Sequence, residues 1–397
     1  MLASTLVKQD SRTVMSVQTL PDPVPGPGEA LLEIRAAALN HLDLYARAHH
    51  AANPAAEPQI IGSDAAGVVS ALGPDVDTLE VGAEVVLNPG LSCGQCEFCM
   101  RGQQSECPRF DLVGRGIPGT YAEKIAVPAA NLHPKPAHLS FAQAAALCLD
   151  HVTAWRMLMT RGDLRMGDSV LIHGIGGGAA LASLQLARLL DAKVIVTSSS
   201  DEKLQRADAL GALLGINYRE QENIAEIVRK FTDGRGVDLV IDTVGAATWP
   251  ASIASVRNGG RVVACGATTG ADGVVNIRVV FWRQVSILGS SMGSDKDFRD
   301  MLSAVEGHSL EPVIDWHQRE LVPNGKRLSE DGRCRYYHAD FFALARGAGF
   351  DPDDPGRAFD AILLDIDHTP DALLHPGHAD LYSEEGMLRL RAFLKPG

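Results

Sequence analysis

The chain has 397 residues, 46% hydrophobic and 21% charged, which is more than one hydrophobic core serves and ordinary for a multidomain globular protein. A formal net charge of −13 with no basic stripe works against a nucleic-acid partner, whose binding depends on neutralising phosphates. Charge comes early in Met1 to Asp10, no apolar signal core accompanies it, and no run reaches the ~18 apolar residues of a membrane span, so the cytoplasm is the expected location.

Residues 1 to about 130 hold short apolar or β-branched runs broken by Gly and Pro, at 30–36, 66–71, 83–87 and 121–127, which predict an all-β region with turns. Within it stand Cys93, Cys96, Cys99 and Cys107, with two, two and seven residues between them. Thiolates so closely spaced converge on one Zn²⁺, and a site with no open coordination position is structural. The competing reading is a disulfide-bonded loop, which suits poorly a chain with seven cysteines and no secretory segment.

From about residue 140 the pattern changes to apolar strands, at 169–173, 193–197, 237–242, 261–265 and 285–288, alternating with helical stretches such as 202–210 and 223–231. That alternation predicts α/β architecture with a doubly wound parallel sheet. The first strand runs into His173-Gly174-Ile175-Gly176-Gly177-Gly178-Ala179-Ala180 and then a helical run over 181–190. Gly174, Gly176, Gly177 and Gly178 let the backbone approach a pyrophosphate, and the helix N-terminus supplies amide donors and a positive dipole end. Ala179 replaces the last glycine of the usual fingerprint, a tolerated exchange.

The second strand ends in Ser198-Ser199-Ser200, with no carboxylate at its tip to bond a ribose 2′-hydroxyl. Ser198, Ser199 and Lys203 suit a 2′-phosphate, whereas Asp201 and Glu202 fit the first turn of the next helix. NADP(H) is therefore favoured, with NAD(H) as the alternative; Lys203 also reads as a solvated helix residue.

Together with Pro25-Gly26-Pro27-Gly28-Glu29, Asn40-His41-Leu42-Asp43, Gly62-Ser63-Asp64, Gly119-Thr120-Tyr121-Ala122-Glu123, Thr153-Ala154-Trp155, Ile216-Asn217-Tyr218-Arg219 and Ile287-Leu288-Gly289-Ser290, these residues resemble the medium-chain dehydrogenase/reductase superfamily. Within it the chain is similar to the zinc-binding, quinone-oxidoreductase-like branch, from about residue 14 to Asp315. The resemblance implies a GroES-like β domain over 1–130, a Rossmann domain over 131–295, a return segment over 296–316, a cleft between the two domains, and a homodimer joined edge to edge. It places Tyr218 beside Lys203 at the 2′-phosphate, and Gly266 and Gly289 along the cofactor.

Alcohol dehydrogenases of the superfamily hold a catalytic zinc with a Cys, a His-Glu pair and a Cys or Asp ahead of the Thr-Ala segment. Asn40, Ser63-Asp64 and Leu149 stand there instead, and only Asp64 is a good ligand where three are needed; His41, Asp150 and His151 are near enough in sequence to be substitutes, but a lone His beside a motif is more often structural. One structural zinc and no catalytic zinc are expected. The implied chemistry is hydride transfer from NADPH to a quinone or an α,β-unsaturated carbonyl, a small-molecule substrate. Asn40, Asp43, Tyr45 and Arg47 match the Asn-x-x-Asp-x-Tyr-x-Arg pattern of quinone-reductase-like members. Tyr45 is the candidate donor to the substrate oxygen, Asn40 a polar group at the cleft floor, and Asp64 completes the catalytic set; Tyr45 reads equally as a core tyrosine. The alternatives are a zinc-dependent alcohol dehydrogenase and a catalytically impaired fusion.

After Asp315 the family pattern stops. Arg335-Tyr336-Tyr337-His338-Ala339-Asp340 and Phe359-Asp360-Ala361-Ile362-Leu363-Leu364-Asp365 resemble part of a spermidine-synthase-like, S-adenosylmethionine-dependent methyltransferase. Residues 317–397 are expected to form an incomplete, atypical α/β fragment without the glycine-rich motif, and hence without methyl transfer.

Overall fold

The computed structural model describes residues 1–9, 12–52 and 59–314; the methyltransferase-like segment expected over 317–397 lies outside the described residues. The N-terminal strands are β1 (Leu2–Gln9), β2 (Arg12–Thr19), β3 (Glu29–Ala38), β4 (Gln59–Ile60), β5 (Asp64–Leu72), β6 (Glu84–Leu87), β7 (Gly90–Leu91), β8 (Asp111–Leu112), β9 (Lys124–Pro128) and β10 (Leu132–Pro134). β1 and β2 form an antiparallel hairpin flanked by β4, and an antiparallel sheet runs β10-β6-β5-β3-β9. In β9, Ile125 and Val127 are buried between half-buried neighbours, the alternation of a strand with one face on a core. That core also takes Leu32, Val69, Val85 and Leu87.

Three of the four expected β runs lie in β3, β5 and β6. The fourth starts late, because residues 121–123 turn away to meet the N-terminal hairpin: the Ser4 amide donates to the Tyr121 carbonyl at 2.7 Å, and Ala3 pairs with Ala122. The hairpin itself was not among the expected strands. β10 lies past residue 130 and pairs with β6, Leu132 opposite Leu87.

The second sheet comprises β11 (Ser169–Ile172), β12 (Lys193–Ser198), β13 (Leu214–Asn217), β14 (Val237–Asp242), β15 (Val256–Ala264) and β16 (Ser286–Gly289). All are parallel, in the order β13-β12-β11-β14-β15-β16. β11 and β14 are buried along their whole length, which is why they read as near-continuous apolar runs. β15 begins earlier than the expected 261–265, since Val256 already pairs with Val237 before an irregularity at Asn258-Gly259-Gly260 brings Arg261 opposite Leu239. Helices Gly178–Arg188, Asp201–Ala209 and Ile224–Phe231 connect the strands; Ser200 and Asn223 cap the latter two through side-chain oxygens.

Helix Cys148–Trp155 continues as a π-helical segment, Arg156–Arg161, and packs on helices Gly178–Arg188 and Asp295–Gly307. Arg156, nearly inaccessible, bonds Glu106 Oε1 at 2.8 Å through Nη2 and Asp297 Oδ2 at 2.9 Å through Nη1. The cysteine-bearing loop is thereby fastened to helix Asp295–Gly307. Among the described residues no helix is long and apolar enough to cross a membrane.

Candidate active site

Parallel strands bring all their C-terminal ends to one edge, and the order reverses between β11 and β14, the place where open α/β sheets bind ligands. The glycine turn leaves β11 there. Gly174 and Gly176 have φ of +71° and +124°, backbone that side-chain-bearing residues rarely adopt. Thr197, at the end of β12, holds the turn: its Oγ1 accepts from the Gly174 amide at 3.2 Å, and its carbonyl from the Ile175 amide at 2.9 Å. Gly177 caps helix Gly178–Arg188 without a side chain.

Lys203 is folded back over this turn, its Nζ 3.2 Å from where a Cβ on Gly176 would stand, rather than extended into solvent. Ser198 is buried, Ser199 half-buried, and the Tyr218 amide donates to the Ser198 carbonyl at 3.1 Å, so Ser198, Ser199, Lys203 and Tyr218 share the ends of β12 and β13. Gly266 follows β15 with φ +112°, and Gly289 ends β16, its carbonyl accepting from Arg161 Nε at 2.9 Å. The two groups therefore lie on opposite halves of the same sheet edge.

Where the turn after β3 meets the start of β5, Asn40 Nδ2 donates to Asp64 Oδ2 at 2.8 Å. Asp64 is 1% exposed; burial, opposed by the Asn40 bond and reinforced by the charges of Asp150 and Asp43, pushes its carboxyl well above the usual range. Asp43 Oδ2 accepts from the Asn40 amide at 2.7 Å and from the Tyr121 hydroxyl at 2.5 Å, which makes Asp43 a brace for the Asn40 turn. Burial raises its carboxyl too, against the Tyr121 and Asn40 bonds. Tyr45, 54% exposed and edge-on to His41 at 5.6 Å, lines a pocket of about 470 Å³ with Asp43, Ser63 and Arg115. It is thus not a core tyrosine. Tyr121 was missed as a positioning residue; nothing in its sequence context says that its hydroxyl reaches Asp43.

Cys93, Cys96, Cys99 and Cys107 bring their sulfurs within 4.8 Å of one another, the one such cluster of metal-type ligands found among the described residues. Sγ separations of 3.9 Å (Cys93–Cys99), 3.5 Å (Cys96–Cys99) and 3.5 Å (Cys107–Cys93) match the ~3.8 Å edge of a tetrahedron with ~2.3 Å Zn–S bonds. None is disulfide-bonded. The donor set fits zinc.

Residues 26–137 match the family described as alcohol dehydrogenase GroES-like domain, and residues 178–307 the zinc-binding dehydrogenase family. A zinc-type alcohol dehydrogenase-like protein of Schizosaccharomyces pombe is 34% identical over 295 residues, 73% of this chain and 83% of that protein. The crystal structure of an NAD-dependent alcohol dehydrogenase superposes with TM-score 0.74 at 43% identity, covering 79% of this chain and 91% of that one. A crotonyl-CoA carboxylase/reductase solved in complex with NADP gives TM-score 0.71 at 28% identity, covering 78% and 86%. Matching β and nucleotide-binding regions, joined in the same order and carrying the cysteine cluster, make this chain an NAD(P)-dependent oxidoreductase of the zinc-type alcohol dehydrogenase-like, medium-chain dehydrogenase/reductase superfamily.

Proposed function

We propose that this chain reduces a quinone or an α,β-unsaturated carbonyl with NADPH, using one structural zinc at Cys93, Cys96, Cys99 and Cys107 and no catalytic zinc. The observation that carries the reading is the donor set at the cleft floor. Asn40 is an amide bonded to Asp64 at 2.8 Å, and the Ser63 hydroxyl is committed to the Val113 carbonyl at 2.8 Å. At the family's three ligand positions that leaves Asp64 alone where a catalytic zinc needs three, and the described residues gather a metal-type ligand cluster at the four cysteines rather than here. When bound, the reduced dinucleotide supplies the hydride. Asn40 and Asp64 then offer polar groups to an oxygen gaining negative charge, and Tyr45 a hydroxyl at the pocket wall.

The ammonium of Lys203 over Gly176, with Ser198, Ser199 and Tyr218 beside it, supports the 2′-phosphate form of the cofactor. So does the NADP in a related reductase. In this reading residues 1–130 carry the substrate side and 131–295 the nucleotide. The competing reading, a zinc-dependent alcohol dehydrogenase using NAD, draws on the solved NAD-dependent relative. Zinc content together with consumption of NADPH and NADH against quinones, enals and alcohols decides between them: one zinc per chain with turnover of conjugated acceptors is expected, and two zincs with alcohol oxidation would overturn the proposal.

Residence in the cytoplasm and a homodimer belong to the same proposal. β16 ends the sheet, and helix Ile277–Arg283 beside it leaves Phe281 62% and Trp282 80% exposed, an apolar face suited to a second copy. Sedimentation should give twice the chain mass, reduced to the monomer by Trp282→Glu.

A further inference from the structure

The loop that follows β16 holds strained backbone at the carboxyl edge of the parallel sheet, the edge where such sheets take ligands. Its Ser290 amide donates to the Ala264 carbonyl, at the end of β15, at 2.9 Å. Met292, 6% exposed, has φ of +51°, a left-handed conformation that a side-chain-bearing residue keeps only where its surroundings impose it. Those surroundings include helix Cys148–Trp155: the Thr153 hydroxyl meets Met292 Sδ at 3.8 Å, and a Cβ on Gly293 would stand 2.4 Å from Val152 Cγ2. The loop then enters helix Asp295–Gly307 through Ser294, whose amide and hydroxyl both donate to Asp297 Oδ2 at 2.8 Å.

Asp297 carries this fixing toward the cysteine-bearing loop. Its Oδ2 also accepts from Arg156 Nη1 at 2.9 Å, and its Oδ1 from the Thr160 hydroxyl. Arg156 Nη2 in turn reaches Glu106 Oε1 at 2.8 Å, and Glu106 immediately precedes Cys107. A second, longer tie runs beside it, from the Asp295 amide to Gln104 Oε1 at 3.4 Å. Arg156 also opens the π-helical segment Arg156–Arg161, a rare geometry that recurs at functional sites. Bonded groups therefore lead without a break from the four cysteines through Glu106, Arg156, Asp297 and Ser294 to the strained loop.

We propose that Arg156 is a positioning residue that couples the cysteine-bearing loop to the nucleotide edge, so that Zn²⁺ on the four cysteines and a dinucleotide beside the Ser290–Gly293 loop each tighten the other's binding. This rests on the zinc and dinucleotide readings above. Four Zn–S bonds cross-link residues 93–107 and fix where Glu106 stands. Without them the loop shifts, Glu106 leaves the guanidinium, and the Ser294 cap and Met292 lose part of what imposes their geometry. Such coupling is reciprocal: zinc changes nucleotide affinity by the same factor as the nucleotide changes zinc affinity.

The test reads two affinities and no turnover. Zinc affinity of the full chain is measured by equilibrium competition with a chromophoric chelator, with and without saturating NADPH, and NADPH affinity by fluorescence titration of zinc-loaded and zinc-stripped protein. Wild type should give one factor both ways, about fivefold or more, at the low end of allosteric couplings. Glu106→Ala leaves the cysteines and the Arg156–Asp297 pair in place and cuts the link alone. Both ligands should still bind it, with the factor below about twofold. Arg156→Met should behave the same way, and Glu106→Ala carries the test where that variant does not fold. An Arg156 that only stabilised the fold would change melting and leave the factor alone. A wild-type factor retained in Glu106→Ala, or zinc and NADPH binding independently in the wild type, would overturn the inference. Wild-type protein that holds no zinc or binds no NADPH would instead sink the underlying readings, and the inference with them.

Discussion

Arg156→Met removes a cation that is 5% exposed, and leaves Asp297, equally hidden, without its charge partner. Breaking a buried pair from one side costs about 3–5 kcal/mol. Asp297 keeps the Thr160 hydroxyl and the Ser294 amide and hydroxyl as donors, so the lower end, about 3 kcal/mol, is the expected loss. With an unfolding entropy of ~2.1 cal/mol/K per residue over ~300 residues, that corresponds to a fall of about 5 °C in Tm, read by circular dichroism at one scan rate. Glu106, on the other side of Arg156, is 36% exposed, and Glu106→Gln should cost no more than about 1 kcal/mol. Burial raises the Asp297 carboxyl, but bonds from Thr160, Ser294 and Arg156 outweigh it and leave it below the usual range. A lowered carboxyl contributes stability above its unfolded value, lost as pH falls through its folded one. The gap between wild type and Arg156→Met should therefore narrow below about pH 4. Two variants melting alike, or an Arg156→Met protein within about 2 °C of wild type at neutral pH, would refute the reasoning.

Lys203→Glu should weaken NADPH by tenfold or more, at about 1–4 kcal/mol for a charge pair near the surface, and NADH far less; equal losses would remove the argument for the phosphate form. Cys96→Ser should lower bound zinc from one per chain and loosen the loop that Glu106 ties to Arg156; unchanged stoichiometry by atomic emission would contradict the assignment. Ser294→Ala breaks a capping box with Asp297 and should cost about 1 kcal/mol in urea unfolding, with no measurable cost counting against that cap.

What the sequence disclosed follows burial. β11 and β14 are buried on both faces, so their apolar runs stand out, and Cys93 to Cys107 are close enough in the chain for spacing alone to define the cluster. β13 was read only as part of a family motif, because Leu214-Gly215-Ile216-Asn217 is short and interrupted by a glycine that packs against Leu204. The β1–β2 hairpin escaped because its serines and threonines blur the alternation that pairing with β4 and residue 122 makes real. The partners of the candidate site are long-range: Tyr121 with Asp43, Asn40 with Asp64, Asp150 with Gly178. Motif spacing names such residues singly and says nothing of who meets whom.

The Asn40–Asp64 meeting sets where Asp64 can hold a proton. Asp64 Oδ2 accepts from Asn40, so a proton retained by its raised carboxyl resides on Oδ1, for which the described residues supply no hydrogen-bond partner. Under the proposed reduction, that carboxyl, when protonated, serves the oxygen or α-carbon that gains charge. The sign of the pH dependence follows. With its folded value raised, Asp64 is protonated at low pH, and kcat/KM for reduction should fall as pH rises through that value. Asp64→Asn keeps the shape and the Asn40 contact but has no acidic proton; it should lose about 10²–10⁴-fold in kcat/KM and flatten the alkaline limb. A variant that keeps the wild-type alkaline limb would show that another group titrates there and that Asp64 only braces Asn40.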